Sequence, residues 1–401
     1  MGRWITVGLW VLGASAWAQT PVRFAKQGDE LVSHVRERFY DAKKATEWAA
    51  RHQGYGAKAR TEEDFERLTR EALAELKASH TAYYPRESLG HVALSSIFRS
   101  FLKLKEVQYV SMGVDVAELP EGLFVRHVFA GGPAEKAGLL KGDRIVSVEG
   151  RPFHPVRSLK DRAGKPTRVT VERQRGAPPM TLMMTPRRVD PKTEWLEAQE
   201  KSSRVVERGG KRVAYQYLYS CAGVEHQEAL EEYILHGAAA DADALVVDLR
   251  DGWGGCNMQF LNLFNTRLPV FTSVGRDGKQ AVISGAWVKP VVLLVNGGSR
   301  SGKELVAFAM KQREMATLVG ERTAGAALAG TPLRLSNGGI LYLAVMDGTI
   351  DGTRLEGVGV QVDVEVAAVL PYAAGKDPQL EKALEVAAAA RPPVAPAEGL
   401  K

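Results

Sequence analysis

Apolar residues recur at helical spacing through the early part of the chain: Leu31, Val35 and Phe39, then Phe65, Leu68, Ala72 and Leu76. This spacing lines up one apolar face on a 3.6-residue period and predicts helices within 28–105. A third helix is expected over 86–104, from Leu89, Val92, Leu94, Ile97 and Leu102, with 77–85 as a turn-like junction before it. From about residue 107 the period changes to two. Gly122–Val128, Asp143–Gly150 and Thr167–Arg173 alternate apolar and polar side chains between glycine turns, with one short helix at Pro133–Gly138. They predict a small β-rich module that ends near Arg188. Residues 189–206 are polar and read as a connector.

Beyond 212 the pattern changes again. Val213–Tyr219 reads as a strand and 224–237 as a helix. Ala244–Arg250 and Val291–Asn296 are nearly continuous apolar runs, as expected of parallel strands buried on both faces. A helix over 302–313 and strands at Thr317–Gly320 and Ile340–Val345 complete the set. Strands alternating with helices predict an α/β domain with a parallel-rich sheet. The expected organisation is multidomain α/β: a helical region over 19–106, a β module over 107–188, an α/β domain over 189–390 and a disordered Pro/Ala-rich tail over 391–401.

The first residues add a compartment. Arg3 precedes the apolar stretch Trp4–Ser15, and Ala16-Trp17-Ala18 is a small-x-small cleavage site, so 1–18 reads as a signal peptide. The stretch is shorter than the roughly 20 residues of a membrane-spanning helix. The expected location is periplasmic or secreted, with no integral membrane segment after cleavage. Net charge is +6, falling to +5 without Arg3, and the basic residues are dispersed rather than gathered in a nucleic-acid-binding stripe. The eight histidines include no HExxH pair, and the spacing of Cys221 and Cys256 matches no zinc motif. In an oxidising compartment two such cysteines can pair.

The strongest local signal is Val295–Glu304. An apolar strand ends, Gly297-Gly298 form a tight turn, serines follow, and a helix begins. Such a turn presents a hydroxyl at the carboxyl end of a sheet, where the N–H groups opening the helix face developing negative charge. That suits an acyl-transfer nucleophile, although a serine before a helix is also an ordinary N-cap.

Longer motifs turn this into a family resemblance. Gly131–Gly138 followed by Leu139–Gly150 resembles a PDZ domain. Val247–Gly255 resembles the "DLR…GG" strand end of tail-specific (C-terminal processing) serine proteases, and Ser299–Glu304 resembles their nucleophile segment. Gly320–Gly325 and Gly357–Asp363 resemble two further family segments, and all fall in the family order. The resemblance implies a crotonase-like α/β catalytic core, nucleophilic Ser301 and a turn role for Ser299. It also implies an oxyanion hole from the N–H groups of Gly302 and Gly255, with Gly254 as neighbour. Ser111-Met112-Gly113-Val114 lies where a PDZ domain carries its carboxylate-binding loop.

The sequence departs from the better-known branch of that family at one position. There a lysine serves as base, and here Ala326 stands in its place. A second branch, including tricorn-like and chlamydial proteases, uses serine with histidine and glutamate. Ser79–Tyr83 resembles its histidine segment and Glu356 its glutamate position, which implies His80 as base and Glu356 as its orienting carboxylate. Imidazole, with an ordinary pKa near 6.5, suits that task. Lys303 is a rival base, although two residues along a helix point about 200° apart, so capping or an ion pair fits it better. Cys256 follows the glycine pair and Cys221 ends what reads as the neighbouring strand, so a disulfide at the rim of the site is possible.

The expected function is an exported serine endopeptidase that cleaves polypeptides through an acyl-enzyme, recognising their C-termini through the PDZ domain and needing no metal or organic cofactor. Two other classes stay open: an inactive PDZ-bearing pseudo-protease serving as a peptide-binding scaffold, and a carrier of small apolar ligands on the same core.

Overall fold

The computed structural model describes residues 20–391, with side-chain surroundings for all but 20–22 and 281–284. The expected signal peptide and nearly all of the expected tail lie outside the described residues. Among those described, no helix is long and apolar enough to cross a membrane.

The chain folds into two compact units, one of residues up to Arg86 with Gly330–Met346, the other of Glu87–Ala329 with the residues from Asp347. The N-terminal unit packs the helices Thr20–Arg38, Ala42–His52 and Glu62–Ala74 around Phe24, Leu31, Trp48 and Phe65, all buried. Asp41 and Thr61 fix two helix starts by accepting the N–H groups of Lys44 and Asp64. Its three-stranded sheet runs in the order Ala82–Tyr84, Ile340–Met346, Ala329–Arg334. Two expectations change here. The junction at 77–85 contains a strand, and Ile340–Val345 does not complete the parallel sheet. That segment pairs antiparallel with Ala82–Tyr84, in the register Ala82 to Tyr342. An apolar run does not reveal which sheet it will join.

The larger unit holds the PDZ module and the α/β layer. In the PDZ module, strands run in the order Val114–Leu119, Gly122–Val128, Arg144–Val148, Thr167–Glu172, Met180–Met184 around Val125, Ile145, Val169 and Val171. The main sheet runs Arg204–Arg208, Lys211–Tyr217, Ala244–Asp248, Val291–Val295, Thr317–Gly320, Val364–Glu365. Only its first pair is antiparallel. The continuous apolar runs are explained by burial on both faces. Leu245, Val247 and Leu293 enter one core, while Val246, Val292 and Leu294 enter the other.

The polar connector is in fact the helix Pro191–Ser202. Asp190 caps it, and Pro191 occupies its first turn, where no N–H is needed. Its buried face includes Glu194, Gln199 and Ser202 beside Trp195 and Ala198, so composition hid it. The third helix is shorter than expected, Leu89–Ile97, and starts where Ser88 accepts the His91 N–H. A final helix, Pro378–Ala389, is capped by Asp377, whose carboxylate also receives the buried Arg250 guanidinium at 2.8 Å.

Candidate active site

The strand Val291–Val295 runs straight into the turn that presents Ser301. Ser299 is fully buried. Its hydroxyl donates to Leu249 O at 2.9 Å and accepts the Asn296 N–H at 3.0 Å, tying the turn to the neighbouring strand end. Ser301 stands at the N-cap of the helix Gly302–Gln312 with φ 57° and ψ −131°, and its side chain makes no capping hydrogen bond. A non-glycine residue at positive φ carries strain that the surrounding structure must hold. The ordinary capping role is thus not the one its hydroxyl plays. Its own N–H donates to Ala326 O at 2.9 Å.

The Gly254–Cys256 loop meets the head of this helix. A Cβ on Gly254 would fall 2.7 Å from Ser301 Cβ, and one on Gly302 would fall 2.3 Å from Cys256 O. Only glycine at both positions lets the two backbones approach so closely. The loop is held by Cys221 N–H donating to Gly254 O at 3.1 Å and Trp253 N–H donating to Tyr219 O at 2.8 Å. A disulfide joins Cys221 to Cys256, with both residues buried. Gly255, at φ 95°, lies inside the same loop.

Lys303 neither caps nor forms an ion pair. Fully buried, its Nζ donates to Leu218 O at 2.7 Å, Tyr219 O at 3.1 Å and Asp251 O at 2.8 Å. Burial pulls it down to about 7, against the nearby Asp248 and Asp251 carboxylates. Its three contacts all go to carbonyl oxygens of the strand ends, so it braces the loops beneath the serine.

Glu304, one turn after Ser301, was visible in the motif, but its task was not. It is fully buried, and its carboxylate accepts Thr323 Oγ1 at 2.6 Å, Gly325 N–H at 2.7 Å and Ala326 N–H at 2.7 Å. Burial raises its pKa against those hydrogen bonds. It thereby clamps the segment carrying Ala326 against the helix Gly302–Gln312. Glu356, from a later part of the chain, is buried against the same segment, and its Oε2 accepts the N–H groups of Ala327 at 2.8 Å and Leu328 at 3.2 Å.

A second network was not foreseen. Asp251, at φ 54°, accepts His127 Nε2 at 2.9 Å and Asn296 Nδ2 at 3.0 Å, while its N–H donates to Asn296 Oδ1 at 3.1 Å. Arg126 lies 3.5 Å from the same carboxylate and 2.6 Å from Asp115. Burial favours a protonated Asp251, but the His127 bond and Arg126 outweigh it and hold the carboxyl well below its ordinary range. The PDZ strand Gly122–Val128 is thereby wired to the turn before Ser301. In the sequence, His127 is one alternating position of a strand, and nothing marks its partner.

His80 belongs to the N-terminal unit. It sits at φ 54°, two residues before the strand Ala82–Tyr84, with Ser79 Oγ 3.0 Å from its Nδ1 and its ring 5.5 Å from that of Tyr342. In the PDZ module, Ser111 Oγ accepts the Gly113 N–H at 2.9 Å, Met112 O accepts the Ala134 N–H and Gly113 O accepts the Phe129 N–H. This pins the loop that leads into Val114–Leu119, which pairs with Gly122–Val128 and forms the edge of its sheet.

Comparison with known proteins bears on the family and the fold. Residues 212–366 match Peptidase family S41, and 110–178 match the PDZ domain. The chain is a PDZ-bearing serine-type peptidase homologous to the carboxyl-terminal processing proteases. A carboxyl-terminal-processing protease of Synechocystis sp. is 26% identical over 310 residues, which cover 74% of this chain and 70% of the relative. One from Bartonella bacilliformis is 25% identical, covering 60% of this chain and 57% of its own. Among solved structures, the tricorn protease matches with a TM-score of 0.56 at 19% identity, over 91% of this chain and 36% of its own. The photosystem II D1 C-terminal processing protease matches with a TM-score of 0.50 at 18% identity, over 94% and 98%. These structural likenesses establish the fold, and the PDZ-bearing peptidase shares it.

Proposed function

We propose that this peptidase is an exported endopeptidase cleaving polypeptides through an acyl-enzyme, with Ser301 as nucleophile, His80 as general base and Glu356 as the carboxylate that orients the histidine. The N–H groups of Gly302 and Gly255 serve as oxyanion donors, and the loop Ser111–Val114 receives the carboxylate of a substrate tail. The observation that carries the reading is the strained serine at a helix head, its hydroxyl unspent on capping, facing a glycine loop. That placement suits attack on a carbonyl, and each oxyanion donor contributes about 3 kcal/mol in comparable sites. Ala326, which cannot take a proton, leaves the base to another residue. Lys303, committed to three carbonyls, is a poor candidate. Histidine and glutamate of a lysine-free branch fill the gap.

The test is labelling by a fluorophosphonate probe together with cleavage of an unstructured polypeptide. Ser301→Ala should abolish both. His80→Ala should cut kcat by about 10²–10⁴, the range for losing a general base, and Glu356→Gln by less. Wild-type rates in His80→Ala would overturn the assignment. A scaffold without catalysis has one observation in its favour, the alanine at 326; failure of the wild type to react with the probe would establish it.

A further inference from the structure

Lys303 carries an ammonium group that the proposed chemistry does not use. It is the second residue of the helix Gly302–Gln312, two positions beyond Ser301, so its side chain leaves the helix on the opposite side from the serine. It is fully buried, and its Nζ donates to Leu218 O at 2.7 Å, Asp251 O at 2.8 Å and Tyr219 O at 3.1 Å. An ammonium has three protons, one for each of these carbonyls. Leu218 and Tyr219 follow the strand Lys211–Tyr217 and lead to Cys221, while Asp251 follows the strand Ala244–Asp248 and leads to Gly254. The two strand ends that carry the disulfide and the glycine loop therefore meet on one atom, and that atom belongs to the helix headed by Ser301.

The acids that face this ammonium are each held by another partner. Arg250 reaches Asp248 at 2.7 Å, His127 and Asn296 reach Asp251 at 2.9 and 3.0 Å, and Arg126 reaches Asp115 at 2.6 Å. They attract Lys303 from a distance, and Arg300, in the turn before the helix, repels it. His226, facing it from the helix Val224–Glu231, is pulled down to about 4 by burial and is neutral near pH 7. Burial outweighs the attraction of the acids and pulls Lys303 down to about 7. A neutral amine keeps two N–H donors and turns a lone pair toward the third carbonyl, so losing the proton releases one of the strand ends.

We propose that Lys303 is a positioning residue of the peptidase reaction: its ammonium sets the spacing between Ser301 and the Gly254–Gly255 backbone, and turnover requires that it keep its proton. The inference rests on Ser301 as nucleophile and on the glycine N–H groups as oxyanion donors, and it adds an alkaline limit that this reading does not contain. The spacing has no slack, since a Cβ on Gly254 would already fall 2.7 Å from Ser301 Cβ. A displacement of about 1 Å at such a centre costs about 10²-fold in rate. A histidine base loses activity toward acid, and Lys303 closes the profile on the other side.

The experiment takes two readouts on the full chain from about pH 6 to about pH 9. One is the rate of labelling by a fluorophosphonate probe. The other is backbone hydrogen exchange, relative to unstructured rates, of the segment around Trp253, whose N–H donates to Tyr219 O. In the wild type, labelling should fall at least about tenfold between about pH 7 and pH 9, and protection around Trp253 should fall about tenfold over the same window. Lys303→Met keeps the length of the stem without the charge. It should label about 10²-fold more slowly near pH 7 and show no alkaline limb. Should that variant fail to fold, the two wild-type profiles decide the matter. An alkaline limb that persists in Lys303→Met overturns the inference, as does measurable labelling or protection that stays level in the wild type. A wild type that never labels overturns the Ser301 reading instead, and the protection profile then decides the role of Lys303 by itself.

Discussion

Replacing both Cys221 and Cys256 by alanine removes the covalent tie between the Gly254–Cys256 loop and the segment after the strand Lys211–Tyr217. The bridge spans a sequence separation of 35. Restricting the unfolded chain over a loop of that length stabilises the folded state by about 4 kcal/mol at 25 °C in the loop-entropy account. Guanidinium unfolding followed by fluorescence, on oxidised wild type, reduced wild type and the double variant, measures it. The last two should coincide and lie below the first by about that amount. The functional effect is smaller, because Cys221 N–H to Gly254 O and Trp253 N–H to Tyr219 O still hold the loop. The cut in kcat should therefore fall short of the 10²–10³ that losing an oxyanion donor costs. KM should change little, since the tie lies beside Ser301, the proposed nucleophile. A stability difference under about 1 kcal/mol would refute the entropic reasoning. A kcat equal to wild type in the folded double variant would refute the claim that the tie holds the loop in place.

Glu304→Ala leaves the Thr323 hydroxyl proton and the N–H groups of Gly325 and Ala326 without their acceptor, although Thr323 Oγ1 still accepts the Val360 N–H. At about 1 kcal/mol or more per buried unpaired donor, thermal unfolding should show a loss near 3 kcal/mol. His226 is buried against Gln199, and burial pulls its pKa down to about 4. Between pH 6.5 and 4 the unfolded chain therefore binds the proton that the folded chain refuses. Stability falls on acidification through that window, by up to about 3 kcal/mol, and urea titrations at pH 7 and 4.5 should show a smaller drop in His226→Gln. Asp251 is displaced in the same direction: its carboxyl pKa is depressed in the folded state. The stabilisation it gives is complete above the ordinary carboxylate range and is lost as pH falls through the depressed folded value, so Asp251→Asn should be less stable than wild type at pH 7, and the gap should narrow steadily as pH drops below the ordinary carboxylate range.

The peptidase resemblance was legible because its marks are local. Val247–Gly255, Ser299–Glu304 and the PDZ run Gly131–Gly150 are contiguous words, and the buried parallel strands announce themselves as apolar runs. The placement of Ser301 at the end of one such strand follows from the same local rule, a glycine turn between strand and helix. The helix Pro191–Ser202 was misread because its buried side chains include Glu194 and Gln199, whose polarity is compensated only by partners far away in the chain.

What the sequence by itself determined was the order of the modules, the peptidase and PDZ resemblance and the absence of a lysine at 326. Tertiary structure alone decided that Lys303 braces three carbonyls, that Glu304 clamps the Ala326 segment, that His127 reaches Asp251, and that Ile340–Met346 joins the N-terminal unit. The physical reason is the same in each case. A side chain's chemistry is written at its own position, but its partner is chosen by which backbones the fold brings within a few ångströms, and no periodicity records that distance.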